Sequence, residues 1–283
     1  MTIEYHFYNF FHYGDNILNL KFLKNIVSIV NIPKDSEAPK DSEAPLELSL
    51  QKLETPSIVI YYYYNQYYNT NRKEFEVYIG ADAQTYIHLR PMEEKPAYAI
   101  NLWIGQYQTI NGIHFHVCDT YFNLYYKNIL TMMQLSNLEI NTSLYQDDPR
   151  IIERYNQLPD KYKNVDILIL NTYPQSNQVP YHKQEWDELC CFLALKHKIV
   201  TAHHVHSDIE CTLRDGLTLQ DIGAISTHCT YIIGIHSGPM AACYTSYTKK
   251  SVKKWFVFCI NSHHEEIDVI DHCTMPQVYE YFR

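Results

Sequence analysis

Three stretches of the chain combine residue types that can do chemistry. The first is Ile232-Ile233-Gly234-Ile235-His236-Ser237-Gly238-Pro239-Met240, an apolar run that meets a small-residue turn and then opens a helix. Backbone N–H groups at a helix start point outward and carry partial positive charge, so a phosphate or pyrophosphate is their natural guest. Gly238 lets the backbone come close to such a guest, and Pro239 suits a first helical turn, where its missing N–H costs nothing. The same turn is also what any strand–helix junction needs. The second stretch is Gly14-Asp15-Asn16. A carboxylate there stands at the mouth of a sheet and can act as a general base; an Asp that caps the helix is chemically just as natural. The third is His203-His204-Val205-His206-Ser207-Asp208, which together with His114 and His116 invites a metal reading. Its spacing matches no zinc motif and the chain has no H-E-x-x-H, so loop histidines that hydrogen-bond or touch phosphate are the preferred reading.

These stretches need elements to hold them. Ile3 to Phe11 is β-prone, and Ile17 to Val30 reads as a helix, because Ile17, Leu20, Leu23, Val27 and Val30 recur on one face. Pro33 ends it. Lys34 to Pro45 repeats KDSEAP in tandem and is expected to be an exposed, non-catalytic loop. Ser57 to Tyr64 (SIVIYYYY) is a buried strand. Short β-like pieces follow at Val77, Ile79, Ile87, Leu89, Ala97 to Ile104 and Ile113 to Val117, then a helix from Tyr121 to Leu135. Prolines between Asp147 and Pro159 flank an interdomain helix or linker. Beyond it, Val165 to Leu170 is a strand, Asn171 to Tyr181 a polar loop, Gln184 to Lys196 an amphipathic helix and Lys198 to Ala202 a strand. Thr218 caps a helix that runs to Cys229; Tyr231 to Ile235 is a strand, a helix runs from Met240, and Trp255 to Ile260 is a further strand. Strands alternating with helices predict an α/β fold with a parallel, doubly wound sheet, whose ligands bind at the carboxyl ends of the strands.

Composition narrows the function classes. The chain has 283 residues, 46% of them hydrophobic and 19% charged, with a formal net charge of -9. Length allows one large domain or two modest ones, and the balance is that of a globular protein rather than a disordered one. The acidic charge argues against a nucleic-acid partner. No run approaches the ~18 apolar residues of an integral membrane span, and the N-terminus is too polar for a signal peptide. The 8 Cys form no C-x-x-C and read as reduced thiols of a cytoplasmic protein. Abundant Tyr, Asn, Ile and Lys suggest an AT-rich coding sequence, such as that of a large DNA virus or a protist. Only 8 Gly are present, and Gly216, Gly223, Gly234 and Gly238 lie close together.

In combination these segments resemble the heptosyltransferase-type glycosyltransferases of GT-B fold. The stretch Leu217 to Cys243 is similar to that family's donor-site segment. Leu219, Asp221, Ile222, Ala224 and Ile225 approximate its helix pattern, and Ser237, Gly238, Pro239 and Met240 match its turn directly. His236 stands where the family has Asp, and Ala241 where it has His. Ile167 to Thr201 follows the family's order of strand, polar loop, helix with W-x-x-L (Trp186 to Leu189) and strand. The family's K-x-W-P is replaced by Val179-Pro180-Tyr181-His182-Lys183, so Lys183 takes the phosphate-binding role only by a shift in register. Gly14-Asp15 resembles the family's G-D turn, whose Asp is the proposed base. Residues 34 to 150 carry no such likeness.

The resemblance implies two Rossmann-like domains facing a cleft, compact or partly trimmed at this length. Residues 1–150 would hold the acceptor and 151–283 a nucleotide-sugar donor. It implies sugar transfer to a glycan or other hydroxyl acceptor, inverting, with no cofactor and no metal. Asp15 would be catalytic, with Gly14 and Asn16 on the acceptor side. His236, Ser237, Gly238, Pro239, Met240, Ala241, Lys183, Asn171 and Tyr173 would face the donor, with Lys249 a further candidate cation. The departure at His236 implies a donor sugar other than heptose. Two alternatives stand beside this reading: a non-catalytic carbohydrate-binding protein that kept the fold, in which the 26 Tyr would suit sugar stacking, and a metal-dependent phosphohydrolase built on the His clusters.

Overall fold

The computed structural model describes residues 2–10, 13–31, 57–65, 72–104, 109–110, 113–114, 117–174, 180–258, 262–263, 268–270 and 272–283. The KDSEAP duplication, His116 and part of the loop after Asn171 lie outside them. The N-terminal half contains β1 (Thr2–Asn9), α1 (Tyr13–Val30), β2 (Ser57–Tyr64), α2 (Arg72–Ile79), β3 (Ile87–Pro91) and β4 (Ile100–Asn101). Their strands form a parallel sheet in the order β3-β2-β1-β4. Short strands β5 (Thr109–Ile110), β6 (Ile113–His114) and β7 (Val117–Cys118) precede α3 (Asp119–Met132) and α4 (Arg150–Gln157).

The C-terminal half begins with β8 (Ile167–Leu170), α5 (Lys183–Ala194), β9 (Ile199–Thr201), β10 (Glu210–Cys211) and α6 (Leu219–Ser226). It continues with β11 (Tyr231–Ile235), α7 (Gly238–Cys243), α8 (Ser246–Ser251), β12 (Lys254–Phe258), β13 (Ser262–His263), β14 (Val269–Ile270) and α9 (Met275–Phe282). Its sheet is parallel throughout, in the order β10-β9-β8-β11-β12-β14. Counted within each sheet, the orders are 3-2-1-4 and 3-2-1-4-5-6, the doubly wound arrangement of Rossmann-like domains. The fold class is therefore α/β, with two Rossmann-like units, the N-terminal sheet being the smaller.

Period-two alternation sorts the central strands of the second sheet between two cores. Leu168, Leu170, Val200, Ile232, Trp255 and Val257 share one core with the whole N-terminal half. Ile167, Ile169, Ile233, Ile235, Phe256 and Phe258 face the other way, onto Trp186, Leu189 and Leu193 of α5 and Val278 and Phe282 of α9. Each such large side chain contributes roughly 1.5–3 kcal/mol by its burial. The first core runs continuously from one sheet to the other, so the two halves are packed against each other.

Helix α1 begins earlier than its apolar spacing predicts and is buried nearly all round: Asn16 and Asn19 are as enclosed as Leu20 and Leu23, and Lys21 and Lys24 are buried too. The reason is its position, with one side on the N-terminal sheet and the other on α7. The β-like pieces expected at Val77 and Ile79 are instead helical. In Arg72–Ile79 the charges fall on one side, and Phe75, Tyr78 and Ile79 are buried at helical spacing. Thr218 caps α6 as expected: its side chain accepts from the Asp221 N–H, and Asp221 Oδ2 accepts from the Thr218 N–H at 2.7 Å. Helix α9 has no counterpart among the elements read from the sequence.

Candidate functional site

In a doubly wound sheet, the ligand crevice opens where the strand order reverses. In the C-terminal half that point lies between β8 and β11, and the residues just past those strands meet there. Thr172 Oγ1 and Ser237 Oγ are 3.2 Å apart, and Ser237 Oγ donates to the Ile235 carbonyl at 3.2 Å. Asn171 is fully buried. Its side chain accepts from the His203 N–H at 2.9 Å and donates to the His203 carbonyl at 3.3 Å, tying the loop after β8 to the loop after β9. Asn171 therefore positions the crevice wall through its own hydrogen bonds. Tyr173 is exposed and meets Tyr181 edge-on at 5.8 Å.

The turn from His236 to Ala241 starts α7 as the sequence suggested, two residues earlier and with Pro239 in its first turn. Met240 and Ala241 point into the core, and the Ala241 N–H already donates to the Ser237 carbonyl at 3.1 Å. Met240 is fully buried, so among the described residues only the Gly238 N–H stands at the partly exposed start of the helix, fewer donors than the motif implied. Gly238 has no left-handed backbone. A side chain there would meet Tyr13 Cδ1 at 3.2 Å, so what needs a glycine is the approach of α1. His236 is partly exposed, but its Nε2 is enclosed with no hydrogen-bond partner. Burial pushes its pKa down to about 4, which leaves the imidazole neutral at pH 7.

The matching point of the N-terminal sheet lies between β1 and β4, where Asn9 Nδ2 donates to the Leu102 carbonyl at 3.2 Å. Helix α1 leaves from here, and its N-terminus lies directly on that of α7. A Cβ on Gly14 would sit 3.5 Å from Gly238 Cα and 3.6 Å from Ala241 Cβ. Two turns separated by more than two hundred residues thus share one junction.

Asp15 follows Gly14 as the third residue of α1, so it is not the N-cap. Asp15 is partly exposed as a residue, and its carboxylate has no hydrogen-bond or ion-pair partner among the described residues. Desolvation pushes its pKa up to about 7, the value a general base needs near neutral pH. Its charge is felt at the buried hydroxyls of Tyr62, Tyr125 and Tyr126, whose pKa values are raised first by burial and then by neighbours that include Asp15. Asn16 is fully buried and accepts from the Tyr62 hydroxyl at 2.9 Å. Asn19 donates to the Leu102 carbonyl at 2.8 Å and lies 2.9 Å from the Tyr125 hydroxyl.

The sequence reading missed Lys21. Its Nζ, from the N-terminal half, donates to the carbonyls of Ala241, Ala242 and Tyr244 at 3.0, 3.1 and 3.3 Å. It thereby caps the C-terminus of α7 across the interface; burial lowers its pKa to about 8. A helix buried on two sides must enclose its polar residues, here Asn16, Asn19, Lys21 and Lys24, and nothing in the local sequence points to the carbonyls that Lys21 meets.

The candidate cations are engaged by other groups. Lys183 is exposed and paired with Asp187 on its own helix; it is close enough to His203 for its charge to help depress that imidazole after burial does so. Lys249 Nζ stands 5.0 Å from the centre of the Tyr145 ring. Among the described residues, no three His, Cys, Asp or Glu side chains gather as a metal site requires, and no helix is long and apolar enough to cross a membrane.

No protein-family model and no curated protein matches the chain. Among solved structures, it is similar to the E. coli heptosyltransferase WaaC with ADP-2-deoxy-2-fluoro heptose, at 9% identity and a TM-score of 0.48 over 99% of this chain and 98% of that one. It is also similar to the family 9 glycosyl transferase from Veillonella parvula DSM 2008, at 12% identity and a TM-score of 0.47 over 99% of this chain and 89% of that one.

Proposed function

We propose that this protein is a glycosyltransferase that moves a sugar from a nucleotide-activated donor to a hydroxyl group of a glycan or similar acceptor. The observation that carries the reading is the junction at Gly14 and Gly238, where the crevices of both sheets converge beside an unpartnered carboxylate with a pKa near 7. The likeness of residues 217–243 to a donor segment supports the same reading. Residues 1–150 would serve the acceptor and 151–283 the donor.

The chemistry is a single displacement with inversion. The acceptor oxygen attacks the anomeric carbon, the bond from that carbon to the phosphate oxygen breaks, and the acceptor proton passes to Asp15. The departing nucleoside diphosphate takes hydrogen bonds from the Gly238 N–H and from the Ser237 hydroxyl, which turns from the Ile235 carbonyl to do so. Charge is met by these dipoles without a metal, and no cofactor is assigned. The reaction would run in the cytoplasm, as reduced cysteines suggest.

Calorimetry with UDP, GDP, ADP and CMP and their sugar conjugates, with and without EDTA, tests the donor site. The expected result is binding of at least one, insensitive to EDTA and weakened by Ser237→Ala by about one hydrogen bond, roughly 1 kcal/mol. Binding of none refutes the donor site and leaves a carbohydrate-binding protein without catalysis as the better reading. Binding that EDTA abolishes refutes the metal-free mechanism.

A further inference from the structure

A cavity of about 640 Å³ takes no part in the proposed reaction. Its wall is built from α1, α2, α4, the start of α6 and the residues around the end of α7. The volume lies within the roughly 300–1,000 Å³ of ordinary small-molecule sites. Lys21 in its wall is six residues past Asp15, so the cavity begins about 9 Å farther along the α1 axis.

The charges in and behind this wall largely cancel. Lys24 and Arg150 both hold Asp148 at 2.9 Å, and despite its burial these cations bring Asp148 down to about 2. Arg150 also reaches Asp82 at 3.3 Å, Arg154 holds Asp221 at 2.6 Å and Arg72 holds Glu76 at 2.7 Å. Lys21 is occupied by carbonyls, and Asp147 accepts from the N–H and hydroxyl of Ser246. A strongly charged guest would therefore meet no field of a single sign. What faces it is a set of donors and acceptors on planar or flexible ends: Lys73, Glu153, Gln157 and Gln220. They stand beside Val77, which is 40% exposed, and Ile151. Gln157 Nε2 is 3.3 Å from Glu153 Oε1, which leaves the Gln157 oxygen as an acceptor; Gln220 Oε1 accepts from Arg154, which leaves its amide N–H groups as donors.

We propose that the cavity between α1, α2, α4 and α6 binds a short neutral saccharide. Such a ligand carries hydroxyls that both donate and accept, set around C–H faces that suit Val77 and Ile151. Its charge neutrality matches the wall. The inference does not depend on the donor site.

The test titrates the full chain with maltose, lactose, mannobiose and N,N′-diacetylchitobiose, followed by ligand-observed NMR and calorimetry, with phenyl phosphate as an anionic control. At least one saccharide should bind. Glu153→Ala and Gln157→Ala, both exposed, should weaken that binding at least fivefold. Ala81→Trp, which places an indole in the mouth, should abolish it while leaving the melting temperature and any nucleotide binding unchanged. Failure of all four saccharides overturns the proposal, as does binding that survives Ala81→Trp. Binding of phenyl phosphate without any saccharide overturns it in favour of an anion site.

Discussion

Replacing Asp15 with Asn should make the protein more stable and less active, and the gain should depend on pH. Desolvation raises the folded carboxyl to about 7 from an ordinary value of 3.8. The folded state then holds its proton to higher pH than the unfolded chain. Stability is undiminished below about pH 4 and declines as pH rises towards and through 7. Integrated over that window, the penalty is about 1 kcal/mol at pH 4.5 and about 4 kcal/mol at pH 8. Asparagine has the same shape and no charge, so it escapes both. Asp15 is partly exposed as a residue, and solvent screening reduces the difference between the two pH values to about 1–2 kcal/mol. Urea unfolding of both proteins at pH 4.5 and 8 reads it directly. Turnover should fall roughly 10²–10⁴-fold with donor binding retained, and wild-type turnover should rise with pH through about 7. An Asp15→Asn protein that is destabilised at both pH values, or equally stabilised at both, would refute the reasoning, since the carboxylate would then be a favourable structural group.

Other expectations follow from the same packing. Gly234→Val should cost at least about 3 kcal/mol although valine favours strands, because a Cβ there falls 2.5 Å from Leu170 Cβ; thermal melts check it. Asp221→Ala removes the cap of α6 and the ion pair to Arg154, and about 1–3 kcal/mol should be lost. Burial pushes Asp221 up, but Arg154 and Thr218 hold it below its usual value. The loss should therefore be present at pH 7 and shrink as pH falls below the ordinary carboxylate range, which melts at pH 3 and 7 would test. Lys21→Ala leaves three carbonyls without their donor and should cost about 2 kcal/mol, measured by urea unfolding.

The alternation of strands and helices was legible because each central strand is a short apolar run bounded by polar turns, as at Tyr231–Ile235, where sequence and structure agree to the residue. Boundaries moved where packing extended an element: α1 gains its first turn from contact with α7, which no local periodicity encodes. Residues 72–79 misled because Val77 and Ile79 alternate like a strand, while Phe75 and Tyr78 close a helical face only if Val77 is left outside. The two turns of the candidate site were visible separately as strand–helix junctions. Their meeting was not, since it depends on how one sheet is set against the other. The polar side of α1 was likewise unreadable as interior, because a lysine is called inside only when a partner for it is known, and the partners of Lys21 are backbone carbonyls of another half.

The placement of glycine bears on whether the turn at His236–Ala241 is more than a connection. An ordinary strand–helix turn requires nothing of its neighbours. Here, in a chain with 8 Gly, α7 is approached by glycine from two other elements: Gly14 of α1 at its start and Gly223 of α6 at its end. A Cβ on Gly223 would lie 2.8 Å from the Ala242 carbonyl oxygen. At Gly223 backbone lies against backbone with no flexible side chain to absorb error, which fixes α7 and with it the Gly238 N–H, as a preorganised anion site requires. Gly223→Ala separates the two readings. In a helix interior this change would normally add about 1 kcal/mol of stability; here the clash should reverse the sign and lower the melting temperature by shifting α7. If α7 is part of the donor site, nucleoside diphosphate affinity should fall at least threefold at a temperature where the variant is fully folded. A variant that melts earlier but binds the nucleotide as tightly as its parent would separate the position of α7 from ligand recognition, and the junction would then be packing alone.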